Sequence, residues 1–130
     1  ISGLQRELTR TGTSFTFTNH NVPATLPHDL TLCVFRVVQE AVQNAIRHGA
    51  PRDINVNLSG ALDALHLTIV DNGIGFDVDQ VWGKGLGLVS MSERLESLGG
   101  VMKIRFIPGS GTRLEAEVPL PAEEARADSA

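Results

Sequence analysis

Apolar positions recur along the chain in two periods, and the periods change at identifiable signals. Phe35, Val38, Val42 and Ala45 repeat at three- and four-residue spacing and predict a long helix with these residues as its core stripe. Pro27 near its start and Asp29 in its first turn suit a helix N-terminus, and His48-Gly49-Ala50-Pro51 supplies stop signals. Arg36, Gln39, Glu40, Gln43, Asn44 and Arg47 repeat on the other face. Leu88, Met91, Leu95 and Leu98 predict a second helix from Leu86 to Leu98, capped by Gly99 and Gly100. Leu4 and Leu8 mark a short helical stub from Leu4 to Thr9.

Between these segments the period is two. Ser14 to Thr18 alternates small polar residues with Phe15 and Phe17 and predicts a half-buried strand. Ile54 to Leu58 and Ala64 to Val70 are alternating strands joined by a turn at 59–63. Val101 to Ile107 and Thr112 to Val118 pair as a hairpin around Pro108-Gly109-Ser110-Gly111. Asn19 to Leu26 and the glycine-rich stretch from Asp71 to Gly87 read as loops. Strands with three helical segments predict one sheet covered by helices on one face.

The chain has 130 residues, one domain's worth. A domain over residues 1–121 and a frayed tail over 122–130 are expected. A net charge of -4 argues against a nucleic-acid footprint, which shows a basic surplus. It leaves room for an anionic ligand held by backbone N–H groups. A single cysteine, Cys33, excludes an intramolecular disulfide and fits a reducing compartment. No apolar run approaches the roughly 18 residues of a membrane span. The chain opens Ile1-Ser2-Gly3 and reads as a piece of a longer protein.

Three clusters carry candidate chemistry. Glu40, Asn44, Arg47 and His48 lie at spacings that share one helix face, where carboxylate, carboxamide, guanidinium and imidazole could hold a metal and phosphates. A solvated polar face is the bland alternative. Asp71-Asn72-Gly73-Ile74-Gly75-Phe76 directly follows a strand. It reads either as a hairpin turn or as a tight glycine turn that brings backbone close to a planar ligand. In the second case Asp71, which only accepts hydrogen bonds when ionised, suits the exocyclic amine of adenine. Guanine would present an acceptor instead, a mismatch of roughly 1–3 kcal/mol. Gly83-Lys84-Gly85-Leu86-Gly87-Leu88 opens a helix, where bare N–H groups cradle phosphate; a flexible linker is the alternative, although linkers pair glycine with serine rather than leucine. A Walker A loop is excluded because Lys84 is followed by Gly85. The acidic spacing from Asp71 to Asp79 does not match an EF-hand.

In their order these clusters resemble the N, G1 and G2 boxes of the GHKL (Bergerat-fold) ATPases. The resemblance covers nearly the whole chain, from about Leu4 to Pro119, with Gly111-Thr112 matching a position where these proteins carry a threonine. Within the superfamily the chain is most similar to the catalytic and ATP-binding domain of sensor histidine kinases. The Arg47-His48 ending, the short span between Phe76 and Lys84, and the run from Gly87 to Leu95 most resemble the subfamily that pairs with NarL-type response regulators. The resemblance implies an α/β (α+β) two-layer sandwich, with a mixed, mostly antiparallel sheet of about five strands under about three helices.

It also implies residue roles. Asn44 would coordinate Mg2+ bridging the ATP phosphates, with Glu40 reaching the metal through water or polarising the attacking group. Arg47 and His48 would contact phosphates. Asp71 would bind the adenine amine, with Gly73 and Gly75 shaping the pocket floor. Lys84, Gly85, Leu86, Gly87 and Leu88 would close over the phosphates, and Thr112 would add a hydroxyl near base or phosphates. ATP and Mg2+ are the implied cofactors. The implied partners are a separate dimerisation and phospho-acceptor domain and a response regulator, with no nucleic acid and no direct membrane contact. A cytoplasmic site follows, whether or not the parent is membrane-anchored. His20, His28, His48 and His66 do not lie on the amphipathic helix a phospho-acceptor needs, so this chain is expected to bind nucleotide without labelling itself. An anti-sigma-type serine kinase or a non-catalytic nucleotide-binding module is the alternative.

Overall fold

The computed structural model describes residues 10, 12–49, 52–61, 63–73, 88–107 and 111–120. The expected stub at 4–9, the turn at 108–110, most of the glycine-rich stretch and the tail lie outside the described residues. The described elements follow the order β1 (Ser14–His20), α1 (His28–Gly49), β2 (Asp53–Gly60), β3 (Ala64–Asp71), α2 (Leu88–Ser97), β4 (Val101–Ile107) and β5 (Gly111–Pro119). The five strands form one sheet in the order β1-β2-β3-β5-β4. β1 and β2 are parallel, with α1 as their crossover, and the other three pairings are antiparallel. This is the expected mixed sheet with one helical layer, and two helices lie among the described residues.

Alternation in the central strands decides which face the helices cover. Ile54, Val56 and Leu58 of β2 point inward, as do Leu65, Leu67 and Ile69 of β3 and Leu114, Ala116 and Val118 of β5. Asn55 and Asn57, and Arg113, Glu115 and Glu117, lie on the open face. There the Arg113 guanidinium donates to Glu115 at 2.6 Å, an exposed pair of the kind that adds little stability.

α1 begins where Thr31 N–H donates to the Pro27 carbonyl at 3.1 Å. Its buried stripe differs from the expected one. Val42 and Ala45 are buried and Val38 is partly so, but Phe35 is 37% exposed, and the centre of the stripe runs through Leu30, Cys33 and Val37. Apolar residues occur around most of the circumference of this helix, so spacing alone did not fix which part met the sheet. Asn44 moves with the rotation: the polar face predicted for it is replaced by a core-side position, 3% exposed.

β1 departs too. It continues to His20, and instead of being half-buried it is exposed almost throughout, with Phe17 at 47%. It is an edge strand, and of its residues Phe15 packs against the core. α2 buries Met91 and Leu95. It ends in a Schellman motif, with Gly99 at φ 78, Gly99 N–H on the Glu96 carbonyl at 2.9 Å and Gly100 N–H on the Leu95 carbonyl at 2.7 Å. The expected cap thus forms one residue beyond Leu98.

Candidate functional site

The inward ladder of β3 runs Leu65, Leu67, Ile69 and then Asp71, so a carboxylate stands where the alternation calls for another apolar side chain. Register places Thr112, the second residue of β5, opposite it. Thr112 also points inward, followed by Leu114 on the same face. Asn44 reaches the same spot from α1. The three polar side chains meet in a cleft walled by Ala41, Ile69, Met91, Ile104 and Leu114. Its volume of ≈ 20 Å³ holds about one water.

The carboxylate is held in a defined direction. Gly73 N–H donates to Asp71 Oδ1 at 3.0 Å, and the Thr112 N–H also donates to the Asp71 carboxylate. Burial dominates its titration and pushes the carboxyl above the usual carboxylate range, and the two N–H groups pull it partly back. Thr112 Oγ1 is buried and has no hydrogen-bond partner among the described residues. An unpartnered hydroxyl beside a buried carboxylate is a polar pair that a complementary ligand would satisfy.

Gly111 makes this proximity possible. Its φ is 112, and a Cβ built there would overlap the Asp71 carbonyl oxygen, with the Asn72 Cα at 3.1 Å. Only glycine lets β5 begin this close to the end of β3. On the far side of the turn, Asn72 Oδ1 accepts from the N–H groups of Arg52 at 2.9 Å and Asp53 at 2.8 Å.

Of the other expected site residues, Glu40 is half-buried on α1, one turn before Asn44, and does not line the cleft. Arg47 and His48 occupy the last turn of α1, but their side chains lie outside the description. Gly73 is buried at the Asp71 turn. Gly75, Lys84, Gly85, Leu86 and Gly87 lie outside the described residues, and Leu88 is described only as the first residue of α2. No group of three or more His, Cys, Asp or Glu residues among the described residues could hold a metal ion. A metal here would rely on carboxamide, water and ligand oxygens, a donor set that suits Mg2+. No helix among the described residues is long and apolar enough to cross a membrane.

The apolar walls were missed from sequence, as were the roles of Gly111 and Asn72. The β3 ladder was a usable signal for Ile69. Met91 and Ile104 lie in apolar patterns of their own elements, but nothing local in the sequence shows that they meet Ile69 in one cleft.

Residues 31–122 match the family described as histidine kinase-, DNA gyrase B-, and HSP90-like ATPase. The chain is 42% identical over 91 residues to the sensor histidine kinase LiaS of Bacillus subtilis, covering 70% of this chain and 25% of that protein. It is 40% identical over 95 residues to the sensor protein VraS of Staphylococcus aureus, covering 73% and 27%. The chain therefore spans about a quarter of the length of these curated relatives. Among solved structures, the catalytic domain of histidine kinase ThkA superposes with a TM-score of 0.73 at 15% identity, covering 95% of this chain and 88% of that one. The Acinetobacter baumannii histidine kinase AdeS gives 0.75 at 16% identity, covering 92% and 60%. At these identities the structural likeness is one of fold.

Proposed function

The chain belongs to the histidine kinase-, DNA gyrase B-, and HSP90-like ATPase family and is the catalytic ATPase domain of a sensor histidine kinase; from that premise we propose that it binds Mg-ATP in the cleft between α1 and the β3–β5 ends and donates the γ-phosphoryl group to a histidine on a separate dimerisation domain. The observation that carries this reading is the convergence of Asp71, Thr112 and Asn44 on one cleft. A buried acceptor and an unsatisfied hydroxyl fit the amine and ring-nitrogen edge of adenine, and this edge distinguishes adenine from guanine.

In this reading Asp71 accepts the adenine amine, with its direction fixed by the Gly73 and Thr112 N–H groups, and Gly73 and Gly75 floor the base site. Asn44 offers its carboxamide oxygen to Mg2+, which supplies charge neutralisation along the phosphates. Glu40, one turn away, takes up a proton or orders the attacking imidazole. Arg47, His48 and Lys84 hold phosphate oxygens, and Gly85, Leu86, Gly87 and Leu88 bring bare N–H groups over them. Catalysis is then mainly positioning and charge neutralisation of an in-line transfer. The partners are the parent's phospho-acceptor domain and a response regulator of the NarL type.

The test is incubation with γ-labelled ATP and Mg2+, with and without the parent's histidine-bearing dimerisation domain. Acid-labile label on the added domain, and none on this chain, is expected. Acid-stable label on a serine substrate, or stoichiometric label on this chain alone, would overturn the reading.

A further inference from the structure

Asn72 sits next to Asp71 and uses its whole side chain. Oδ1 accepts the Arg52 and Asp53 N–H groups at 2.9 and 2.8 Å, and Nδ2 donates to the Asp53 carboxylate at 2.9 Å. Its own N–H donates to the Asp53 carbonyl at 3.3 Å. Because one end of the carboxamide meets only donors and the other an acceptor, its orientation is determined. The β2–β3 ladder has its last registered pair at Ile54 and Asp71, so the Asn72 side chain extends the pairing past the point where that register stops.

The clamp joins two parts of the molecule. Asp53 opens β2 a few residues after α1 ends at Gly49, and the Arg52 carbonyl also accepts the Ser14 N–H of β1 at 2.8 Å. Asn72 therefore ties the Asp71 turn to the start of the β1–β2 pair and the exit of α1. Its side chain is exposed whereas that of Asp71 is buried, and its partners lie at 52–53, outside the cleft. Exposed hydrogen bonds of this kind contribute modestly to stability. They do fix where the backbone goes after Asp71, and the Gly73 N–H that aims the Asp71 carboxylate depends on that path.

We propose that Asn72 is a positioning residue for base selectivity: its clamp on Arg52 and Asp53 holds the Asp71 turn so that the carboxylate meets an amine and rejects a carbonyl. This rests on the reading of Asp71 as the adenine acceptor. Asn72 touches no ligand itself and acts through Asp71.

The test measures ADP and GDP affinities by calorimetry for the wild-type chain, Asn72→Ala, Asn72→Asp, and the double variant Asn72→Asp with Asp53→Asn. Asn72→Ala should reduce the ADP-to-GDP affinity ratio about tenfold, the scale of one mis-aimed hydrogen bond. Asn72→Asp sets two carboxylates against each other and should do the same. The double variant restores an acceptor for both N–H groups and a donor between the side chains, so it should recover the ratio. An unchanged ratio in Asn72→Ala, even with a lower Tm, would make the clamp merely structural and overturn the proposal alone. Absence of saturable ADP binding by the wild-type chain would instead overturn the reading of Asp71, and the proposal with it.

Discussion

Replacing Thr112 by valine should stabilise the free domain and weaken nucleotide binding, two effects of opposite sign from one atom. Thr112 is 8% exposed, and its Oγ1 has no partner among the described residues. A buried hydroxyl left unsatisfied carries a penalty of about 1–3 kcal/mol, and valine puts a methyl group of similar size into the cleft that Leu114 and Met91 also line. The Thr112 N–H that donates to Asp71 belongs to the backbone and survives the change. For a domain of this size about 1 kcal/mol corresponds to roughly 3–6 °C in Tm. In the bound state the hydroxyl is expected to meet the base, and its loss should weaken ADP binding about 2- to 12-fold. Thermal unfolding without ligand and calorimetric titration with ADP read the two effects separately, with Thr112→Ser as the control that keeps the hydroxyl. A valine variant less stable than wild type, or one that binds ADP equally well, would refute the assignment of this hydroxyl to the ligand.

Other expectations follow from the same geometry. Because burial raises the Asp71 pKa in the folded state, the native chain binds more protons than the unfolded chain across the window from the ordinary carboxylate value to the raised one, so this group makes stability fall as pH rises through that window. Asp71→Asn should therefore exceed wild type in stability above the window and lose the advantage below it, as urea unfolding across pH will show; a pH-independent difference would contradict the assignment. Gly111→Ala should cost about 2–6 kcal/mol through positive-φ strain and overlap with the Asp71 carbonyl, and a variant within 1 kcal/mol of wild type in urea would show that β5 can back away. Met91→Ala, at a side chain 1% exposed in the cleft wall, should cost about 2–5 kcal/mol by the same assay, and a near-zero change would mean that the cleft collapses freely.

The strands of this fold were legible because β2, β3 and β5 each have one covered and one open face, which writes a two-residue period into the sequence. β1 was less legible: its alternation resembles theirs, but burial depends on what lies above the strand, and Phe17 is 47% exposed. The rotation of α1 was hidden for a related reason, since Leu30, Cys33 and Val37 continue an apolar surface too broad to show its centre. Asp71 and Thr112 were visible as residues but not as neighbours. Their meeting depends on the β3–β5 register, which joins strands separated by α2 and β4, and on a glycine at 111 whose need for positive φ appears only in the folded chain. Asn72 read as turn chemistry because its partners lie about 20 residues earlier, at Arg52 and Asp53.

The most direct test of the account is a calorimetric titration of the chain with ADP and ATP, with and without Mg2+, using GTP as a control and Asp71→Asn as the comparison. Saturable, adenine-selective binding that Asp71→Asn removes while its circular dichroism stays native is the predicted result. Binding that does not distinguish ATP from GTP, or none at millimolar nucleotide, would contradict the assignment of this cleft to adenine.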